Sequence, residues 1–472
     1  MKAGTNAEDV ITSMGLKDID FGVGASQQEK HLADYFYRSG SFEQASSEKT
    51  YLILGGKGAG KSAIFRMLGE LQREIPIFSD PNVFVADEPR LRDLWATLQS
   101  HGISSKATLW RFYIASLIVE LCIGHPKMPP ELEKEYQRFL VRWGLVREIP
   151  TPWQAMKKMK VSIGLGAYIK TEVPPSSALN TNEIEYVIIS ADKWLDGIGA
   201  EIWICLDSLD EVSCNGPSQV ETEELLSSLM RTVGELIRLR RIRLKLFFRT
   251  DIYQALTYVN KDHFSGLKLE LQWSREDLAI MVGHRLQVLH SDFKGRLDYP
   301  TSKVWIDEVF DWPLEGLLTS FDRLYDTMRD GNGDVLPRDM INFCIAAQKI
   351  QLTFDIQGIE KPPGAKLISS KAIRQAFLQT TASKLNDFLQ VFQNFSETYN
   401  QLKGSPQSRF NRADLAKAIG KDILDAGLII ADLVRVGALR IMDNRSVNRS
   451  DDFEIPTFYA IALKIGDSHA GV

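Results

Sequence analysis

The chain has 472 residues, of which 44% are apolar and 25% are charged. This length accommodates roughly three domains of ordinary size. The composition excludes a wholly disordered, a collagen-like or a disulfide-rich protein. Because the formal net charge is −5, no global excess of positive charge indicates nucleic-acid binding, and any such site would be a local patch.

The cysteines and the apolar segments indicate the cellular compartment in which the protein is expected. The cysteines form no CxxC pair and have no histidine at ligand spacing; they are Cys122, Cys205, Cys214 and Cys344. We therefore expect no metal site and no disulfide framework, and a reducing compartment. Residues 1–18 contain no apolar signal segment, and no uninterrupted apolar run is long enough to span a membrane. The expected location is the cytoplasm, without a membrane contact.

The motif that decides the class of the protein lies in residues 51–71. Residues 51–54 (YLIL) form an apolar run of strand length, and residues 55–62 read GGKGAGKS. Apolar residues then recur at helical spacing, at Ile64, Phe65, Leu68 and Leu71. The string matches G-x-x-x-x-G-K-[ST] between a strand and a helix, which is the setting of a phosphate-binding loop.

The residue types of this loop suit a bound polyphosphate. Glycines let the backbone wrap around the phosphates with N–H groups pointing inward, and the helix N-terminus adds the positive end of its dipole. We expect Lys61 to reach the β- and γ-phosphates, and Ser62 to supply a hydroxyl ligand to Mg²⁺. The predicted nucleotide-binding residues are Gly55, Gly56, Lys57, Gly58, Ala59, Gly60, Lys61, Ser62 and Ile64.

A partner acid follows a second apolar run. Residues 202–206 (IWICL) are continuously apolar, as in a buried parallel strand, and Asp207 comes directly after them. An acid at the carboxyl end of a central strand lies over the crevice in which nucleotides bind. Asp207 is therefore predicted to act on Mg²⁺ through water, and Asp210 or Glu211 to polarise the attacking water. The competing interpretation is an ordinary strand followed by an acidic, solvated turn.

The next strand candidate, residues 244–248 (LKLFF), is followed by Arg249. A polar side chain at the end of this strand can contact the γ-phosphate or the attacking water, and a guanidinium group matches a pair of phosphoryl oxygens. The alternative is a surface arginine that forms an ion pair with Asp251.

The remaining elements indicate an α/β fold, a P-loop NTPase with an ASCE-type parallel sheet flanked by helices. Residues 82–86 and 267–271 are further strand candidates, and residues 90–200 form a large insert. Within the insert, residues 109–121 and 131–145 are predicted helices, residues 160–170 a hairpin, and residues 172–177 a linker. A helix capped by Ser274 opens a helical lid, and another begins at residues 336–340. The domains expected are a core (1–272), a lid (273–360) and a tail (361–472).

The tail has helices followed by a β-hairpin, which is the pattern of a winged helix. From residue 366 onward it carries 14 Lys and Arg against 11 Asp and Glu, a net of +3. This excess is too small to argue DNA binding from charge alone. A winged helix that contacts protein, or that locks the lid, is the other interpretation.

These motifs resemble those of the signal-transduction ATPases with numerous domains (STAND) and of AAA+-like ATPases of the origin-recognition type. More narrowly, the chain resembles a bacterial P-loop ATPase family often associated with genome defence. The resemblance covers about residues 18–350 and is carried by GGKGAGKS, ICLDSLDE and FFRTD. It implies ATP and Mg²⁺ as cofactors, and it makes Arg249 a first sensor and Arg338 a second sensor in the lid. It also assigns Phe21, Gly22 and Glu29 to an element that covers the adenine.

One departure from AAA+ ring enzymes bears on the mechanism. They usually place an arginine finger between the first sensor and the last strand, whereas residues 250–272 contain no arginine. We therefore expect a slow, switch-like ATPase that assembles with itself or with a partner effector protein. The resemblance implies a role in antiviral defence; the alternative is an ATP-regulated DNA-binding initiator or loader that uses the winged helix.

Overall fold

The computed structural model describes residues 15–24, 29, 31–71, 81–85, 105–143, 181–207, 209, 219–258, 261–290, 292–293, 295–443 and 445–466. Its contacts divide the chain into two compact units. The helical unit comprises the described parts of Met1–Glu43, Gly55–Ala63 and Leu271–Val472. The sheet unit comprises those of Gln44–Leu54 and Ile64–Glu270. The predicted three-domain division at residues 272 and 360 stays a prediction.

Strands between residues 52 and 270 form a five-stranded sheet. Its strands are β1 (Leu52–Gly55), β2 (Pro81–Val85), β3 (Ile202–Asp207), β4 (Ile242–Arg249) and β5 (Lys268–Glu270). They lie in the order β2-β3-β4-β1-β5, and the pairs β1–β5, β2–β3 and β3–β4 are parallel. Strand β4 thus separates the strand before the phosphate loop from the strand that ends in the acid. This is the arrangement of an ASCE-type P-loop NTPase, so the predicted fold class is confirmed.

The apolar runs explain which strands are central. All six residues of β3 are buried, as are most residues of β4, because helices cover both faces of a parallel sheet. Among these buried apolar residues, Lys245 in β4 is charged, and its side chain is only 1% exposed. Its ammonium group donates to the backbone oxygens of Ala45, Ser47 and Thr50 at 2.7–2.8 Å, and burial lowers its pKa to about 8. The lysine thus ties β4 to the segment that leads into β1.

The helices follow in chain order. Those before β5 are α1 (Leu32–Tyr35), α2 (Gly40–Ala45), α3 (Lys61–Leu71), α4 (Lys106–Cys122), α5 (Pro130–Arg142), α6 (Thr181–Ile198), α7 (Gln219–Leu236) and α8 (Thr250–Ala255). Those after β5 are α9 (Arg275–Leu286), α10 (Tyr299–Val309), α11 (Phe321–Met328), α12 (Pro337–Gln357), α13 (Ser370–Val391), α14 (Ser396–Leu402), α15 (Arg412–Ala418), α16 (Ile423–Arg435) and α17 (Thr457–Leu463).

The described part of the insert is built into the core of the sheet unit. Both predicted helices are present as α4 and α5, although α5 ends at Arg142 instead of residue 145. Helix α4 is buried almost all round and packs on α6 and α7, as expected for a helix without a polar face. Helix α6 was not predicted. The predicted hairpin at 160–170 and linker at 172–177 lie outside the described residues.

The part of the helical unit that follows β5 begins with the predicted cap. The Ser274 hydroxyl accepts a hydrogen bond from the Asp277 backbone N–H at 3.0 Å, and the Asp277 carboxylate accepts one from the Ser274 N–H at 3.3 Å. This reciprocal capping box satisfies two N–H groups that α9 leaves unpaired. Helix α12 starts with Pro337 in its first turn, where the missing N–H costs nothing. Helices α9 to α13 share one apolar cluster.

The tail forms a winged helix around a separate apolar cluster. Its strands are β6 (Arg409–Phe410), β7 (Arg440–Ile441) and β8 (Phe453–Glu454), which form an antiparallel sheet in the order β6-β8-β7. The chain runs α14–β6–α15–α16–β7–β8, so a wing links β7 to β8. The predicted winged-helix-like domain is therefore present, with α17 added after the second wing strand.

A short loop before α12 connects this group of helices to the winged helix. The Gly331 N–H donates to the Gly437 oxygen at 2.7 Å, and the Arg440 guanidinium donates to the Asp330 backbone oxygen at 3.0 Å. The Asp330 carboxylate accepts from two N–H groups of its own loop, and burial raises the pKa of Asp330 to about 6. Helix α13 makes a second connection, since its first half packs among α9 to α12 and Phe388 packs in the winged helix.

Candidate nucleotide-binding site

The phosphate-binding motif forms a loop between β1 and α3. Gly58 and Gly60 have φ angles of +96° and +92°, which an L residue with a side chain rarely adopts. Lys61 is the first residue of α3, and its ammonium group donates to the Gly55 and Gly56 oxygens at 2.9 Å each. The lysine thus lies across its own loop, as expected for a group that meets phosphates there.

Two segments of the helical unit pack on this loop. The Trp273 indole donates to the Ala59 oxygen at 2.9 Å, and a side-chain carbon placed on Gly60 would lie 3.5 Å from the indole ring. On Gly56 such a carbon would lie 3.7 Å from Leu336. Trp273 was not predicted as a site residue from the sequence, although it directly precedes the predicted cap of α9.

The predicted second sensor, Arg338, lies beside the loop. Its backbone N–H donates to the Gly58 oxygen at 3.4 Å, and its Nε donates to the Gly24 oxygen at 3.1 Å. A side-chain carbon on Gly58 would lie 2.9 Å from the Arg338 Cβ. In the part of the chain that the structure describes, no carboxylate forms an ion pair with Arg338. Its charge is therefore held next to the phosphate loop without an acidic partner from those residues.

The element predicted to cover the adenine packs within the helical unit. Glu29 is buried, and its carboxylate accepts from the Val23 N–H at 3.0 Å. Gly22 turns the chain with a φ of +84°. The buried Arg285 donates from Nε to the Phe21 oxygen at 3.2 Å, and burial lowers the pKa of this guanidinium. These contacts fix residues 21–24, whose last member accepts from Arg338; the adenine contact itself stays a prediction.

The acids and the first sensor belong to the sheet unit. Asp207 is the last residue of β3 and is 3% exposed. Arg249 is the last residue of the neighbouring β4, and its guanidinium pairs with Asp251 through Nε–Oδ1 at 3.1 Å and Nη2–Oδ2 at 2.7 Å. The ion pair considered from the sequence is therefore formed, and the sensor role of Arg249 stays a prediction. Asp210 and Glu211 lie outside the described residues.

Gly58→Ala is expected to destabilise the ligand-free protein by about 1–3 kcal/mol, because alanine would be strained at this positive φ and would press on Arg338. Urea unfolding without nucleotide measures the change. Gly56→Ala is the matched control, since Gly56 has no positive φ and its new methyl would meet Leu336 at an ordinary contact distance. Equal losses in the two variants would contradict the role assigned to the Gly58 backbone.

No protein-family model and no curated protein matches this chain. One similar solved structure is the Aeropyrum pernix ORC2 protein in ADPNP–ADP complexes, which is 12% identical with a TM-score of 0.41; the match covers 92% of this chain and 97% of that chain. Another is the Aeropyrum pernix ORC1 protein in complex with DNA, which is 11% identical with a TM-score of 0.34; that match covers 92% of this chain and 94% of the other.

At these low identities and TM-scores, the fold assignment rests on the chain's own strand order and winged-helix topology. The resemblance to a defence-associated bacterial family has no counterpart among these comparisons. Among the described helices, none combines the length and the apolar character that a membrane span requires.

Proposed function

We propose that this chain is an ATP-dependent molecular switch of the AAA+-like type. The observation that carries the proposal is the phosphate loop itself, with Lys61 folded over it and Arg338 of α12 held beside it. A loop of this kind binds polyphosphate through backbone N–H groups and the lysine. An arginine beside it can respond to the terminal phosphate, which is what a switch between ATP and ADP requires.

The residues of the loop suit Mg²⁺–ATP. The glycines with positive φ leave no side chain on the cradle, and Ser62 is the second residue of α3. The proposal gives Ser62 the role of a hydroxyl ligand to Mg²⁺. Asp207, in the sheet unit, keeps its predicted role as the acid on the metal side, and the metal would neutralise charge on the phosphates.

We expect this chain to hydrolyse ATP slowly. Asp210 or Glu211 would orient the attacking water, and Arg249 and Arg338 would serve as first and second sensors. Residues 250–272 offer no arginine to act on a neighbouring copy, so rapid activation within a ring is not part of the proposal. Nucleotide exchange and hydrolysis would then reset the lid helices and, through the loop at Asp330 and helix α13, the winged helix.

The output of the switch has two candidates. One is assembly with itself or with a partner effector protein, and the other is ATP-regulated DNA binding as an initiator or loader. The exposed Arg445 and Arg449 in the wing favour the second, because cationic side chains at this place can contact phosphates. The role in antiviral defence draws no support from the comparisons and is left out of the proposal.

Titration of the full chain with labelled ATP, with and without Mg²⁺, tests nucleotide binding; absence of binding would refute the proposal. Mobility shifts with duplex DNA at about 50 and 200 mM salt then separate the outputs. Salt-sensitive binding that changes between ATP and ADP supports the initiator. Absence of DNA binding in both nucleotide states leaves the protein-directed switch.

A further inference from the structure

Helix α16 of the winged helix presents an apolar face to solvent. Its inner face places Ala426, Ile430 and Leu433 in the core of the domain. On the outer face, Leu424 is 87% exposed and Leu428 is 74% exposed. These two leucines are four residues apart and therefore lie one above the other on the same side of the helix. Exposed leucines in this arrangement form a continuous strip instead of scattered surface residues.

The strip extends beyond the two leucines. Ile423, at the first position of α16, is 56% exposed, and the half-buried Gly427 and Ala431 add no bulk between and beyond the leucines. We call Ile423, Leu424 and Leu428 the α16 strip. It lies at the N-terminal half of the helix, which in a DNA-reading helix-turn-helix is the part that contacts base edges.

The chemistry of α16 does not suit DNA. The side chains that donate hydrogen bonds to base edges are those of Arg, Lys, Asn, Gln, Ser and Thr, yet between residues 423 and 434 the helix has none of these residues. Arg435, at its last position, is paired with Asp432 at 2.9 Å. The nearby Arg412 donates to the backbone oxygens of Val447 and Ser450 in the wing. The helix that would enter the major groove therefore lacks the donors that read it.

Carboxylates border the α16 strip. Asp422 caps the helix, where its side chain accepts from the Leu424 and Asp425 N–H groups at 2.8 and 2.9 Å. Asp425 is exposed on the first turn, and Lys421 stands just before the cap. Residues 421–435 carry three Asp against one Lys and one Arg, a net of −1. Such a border repels phosphates and attracts cationic side chains.

We propose that the α16 strip is the docking site for a partner protein, namely an amphipathic segment with apolar side chains flanked by Lys or Arg. Apolar residues of the segment would cover Leu424 and Leu428, and its cations would meet the exposed Asp425, since Asp432 is already paired with Arg435. Binding of an amphipathic helix on an apolar face with complementary charges is an established mode of peptide recognition. The inference rests on the proposed function in one respect: it names the partner chemistry of the protein-directed output, assembly with a partner protein.

The test uses the full chain and three labelled synthetic peptides. One is an amphipathic peptide of leucine and lysine, the second replaces its lysines with glutamate, and the third replaces its leucines with serine. Fluorescence anisotropy gives the affinity of each. We expect the leucine–lysine peptide to bind at least about tenfold more tightly than either of the others, because only it offers both apolar area and positive charge.

Matched variants locate the binding. Leu424→Gln together with Leu428→Gln is expected to weaken the leucine–lysine peptide by about tenfold or more, and Asp425→Asn by about several-fold, with a reduced salt dependence. Leu314→Gln is the control, because Leu314 is 98% exposed and lies outside the winged helix. All of these side chains are at the surface, so thermal melts should confirm that the variants fold.

Several results would overturn the inference. No measurable binding of the leucine–lysine peptide would do so, as would equal weakening by Leu314→Gln. Loss of DNA binding in the double-leucine variant would assign the face to nucleic acid, and loss of self-association would assign it to a second copy. Lys61→Ala separates the two proposals: it should weaken ATP binding by about 100-fold and leave peptide binding by the α16 strip intact, so either can fail alone.

Discussion

Lys61→Ala is expected to weaken Mg²⁺–ATP binding by about 100-fold, or roughly 2.7 kcal/mol, while the protein stays folded. The ammonium group donates to two oxygens of the phosphate loop, so it is already held where the phosphates of a bound nucleotide would lie. Alanine removes a charge-assisted contact, and the strength of this contact increases with the number of phosphates. The loss should therefore be larger for ATP than for ADP.

Equilibrium titration with a fluorescent ATP analogue, competed with unlabelled ATP and ADP, measures this change. Lys49→Ala is the matched control, since Lys49 is an exposed lysine just before β1 and its loss removes the same charge from the surface. We expect the control to bind ATP like the wild type. Wild-type affinity in the Lys61 variant would show that the loop does not bind nucleotide in the manner proposed.

Arg338→Ala is expected to lower the rate of ATP hydrolysis by about 100-fold and to remove most of the difference between ATP-bound and ADP-bound states. The physical reason is that a guanidinium stabilises charge that develops on the transferred phosphoryl group. Alanine keeps the Cβ that packs on Gly58 and the backbone N–H that donates to it. The change therefore removes the charge and its donors while the contact with the loop is retained.

Phosphate release under single-turnover conditions measures the rate, and ATP and ADP titrations measure the affinities. Arg329→Ala serves as the control, because Arg329 is an exposed arginine of the same region whose Nε donates to the Gly333 oxygen. The ATP affinity of the Arg338 variant should fall by no more than a few-fold. An unchanged hydrolysis rate would remove Arg338 from the mechanism.

The sheet was predictable because its central strands correspond to short, mostly apolar segments of the sequence, of which residues 202–206 are apolar throughout. Residues 202–206 and 244–248 are each followed by a polar side chain, and both runs are buried neighbours in the sheet. The strand order itself has no local signal, since it depends on pairing between segments far apart in the chain. Sequence motifs therefore gave the members of the sheet, and the structure gave their arrangement.

The candidate site was predictable only in part. The glycines, Lys61 and Ser62 follow from a motif whose spacing reflects phosphate geometry, and Arg338 follows from family resemblance. Trp273 carries no such signal, because its contact with the Ala59 oxygen joins residues 214 positions apart. The role of the insert was not predicted from the sequence. In its described part, helix α4 is buried on nearly every face, which is typical of a core helix.

For the winged helix, the fold could be predicted from the sequence but the binding partner could not. Its helices and wing could be read from sequence, yet the topology is shared by DNA-binding and protein-binding domains, so fold alone does not choose between them. The choice depends on the chemistry of one helix face. Leu424 and Leu428 are exposed and bordered by acids, which is a property of the folded surface instead of the overall charge of the tail.

The central claim is that the phosphate loop binds ATP and that Arg338 of the proposed lid responds to its terminal phosphate. Hydrogen–deuterium exchange of the full chain, without nucleotide, with Mg²⁺–ADP and with Mg²⁺–ATP, tests it most directly. The account predicts slower exchange at residues 55–62 with either nucleotide, and slower exchange at residues 336–342 with ATP than with ADP. Unchanged exchange at residues 55–62 at saturating ATP would contradict the claim, and identical exchange at residues 336–342 in both nucleotide states would refute the role of Arg338 as its reader.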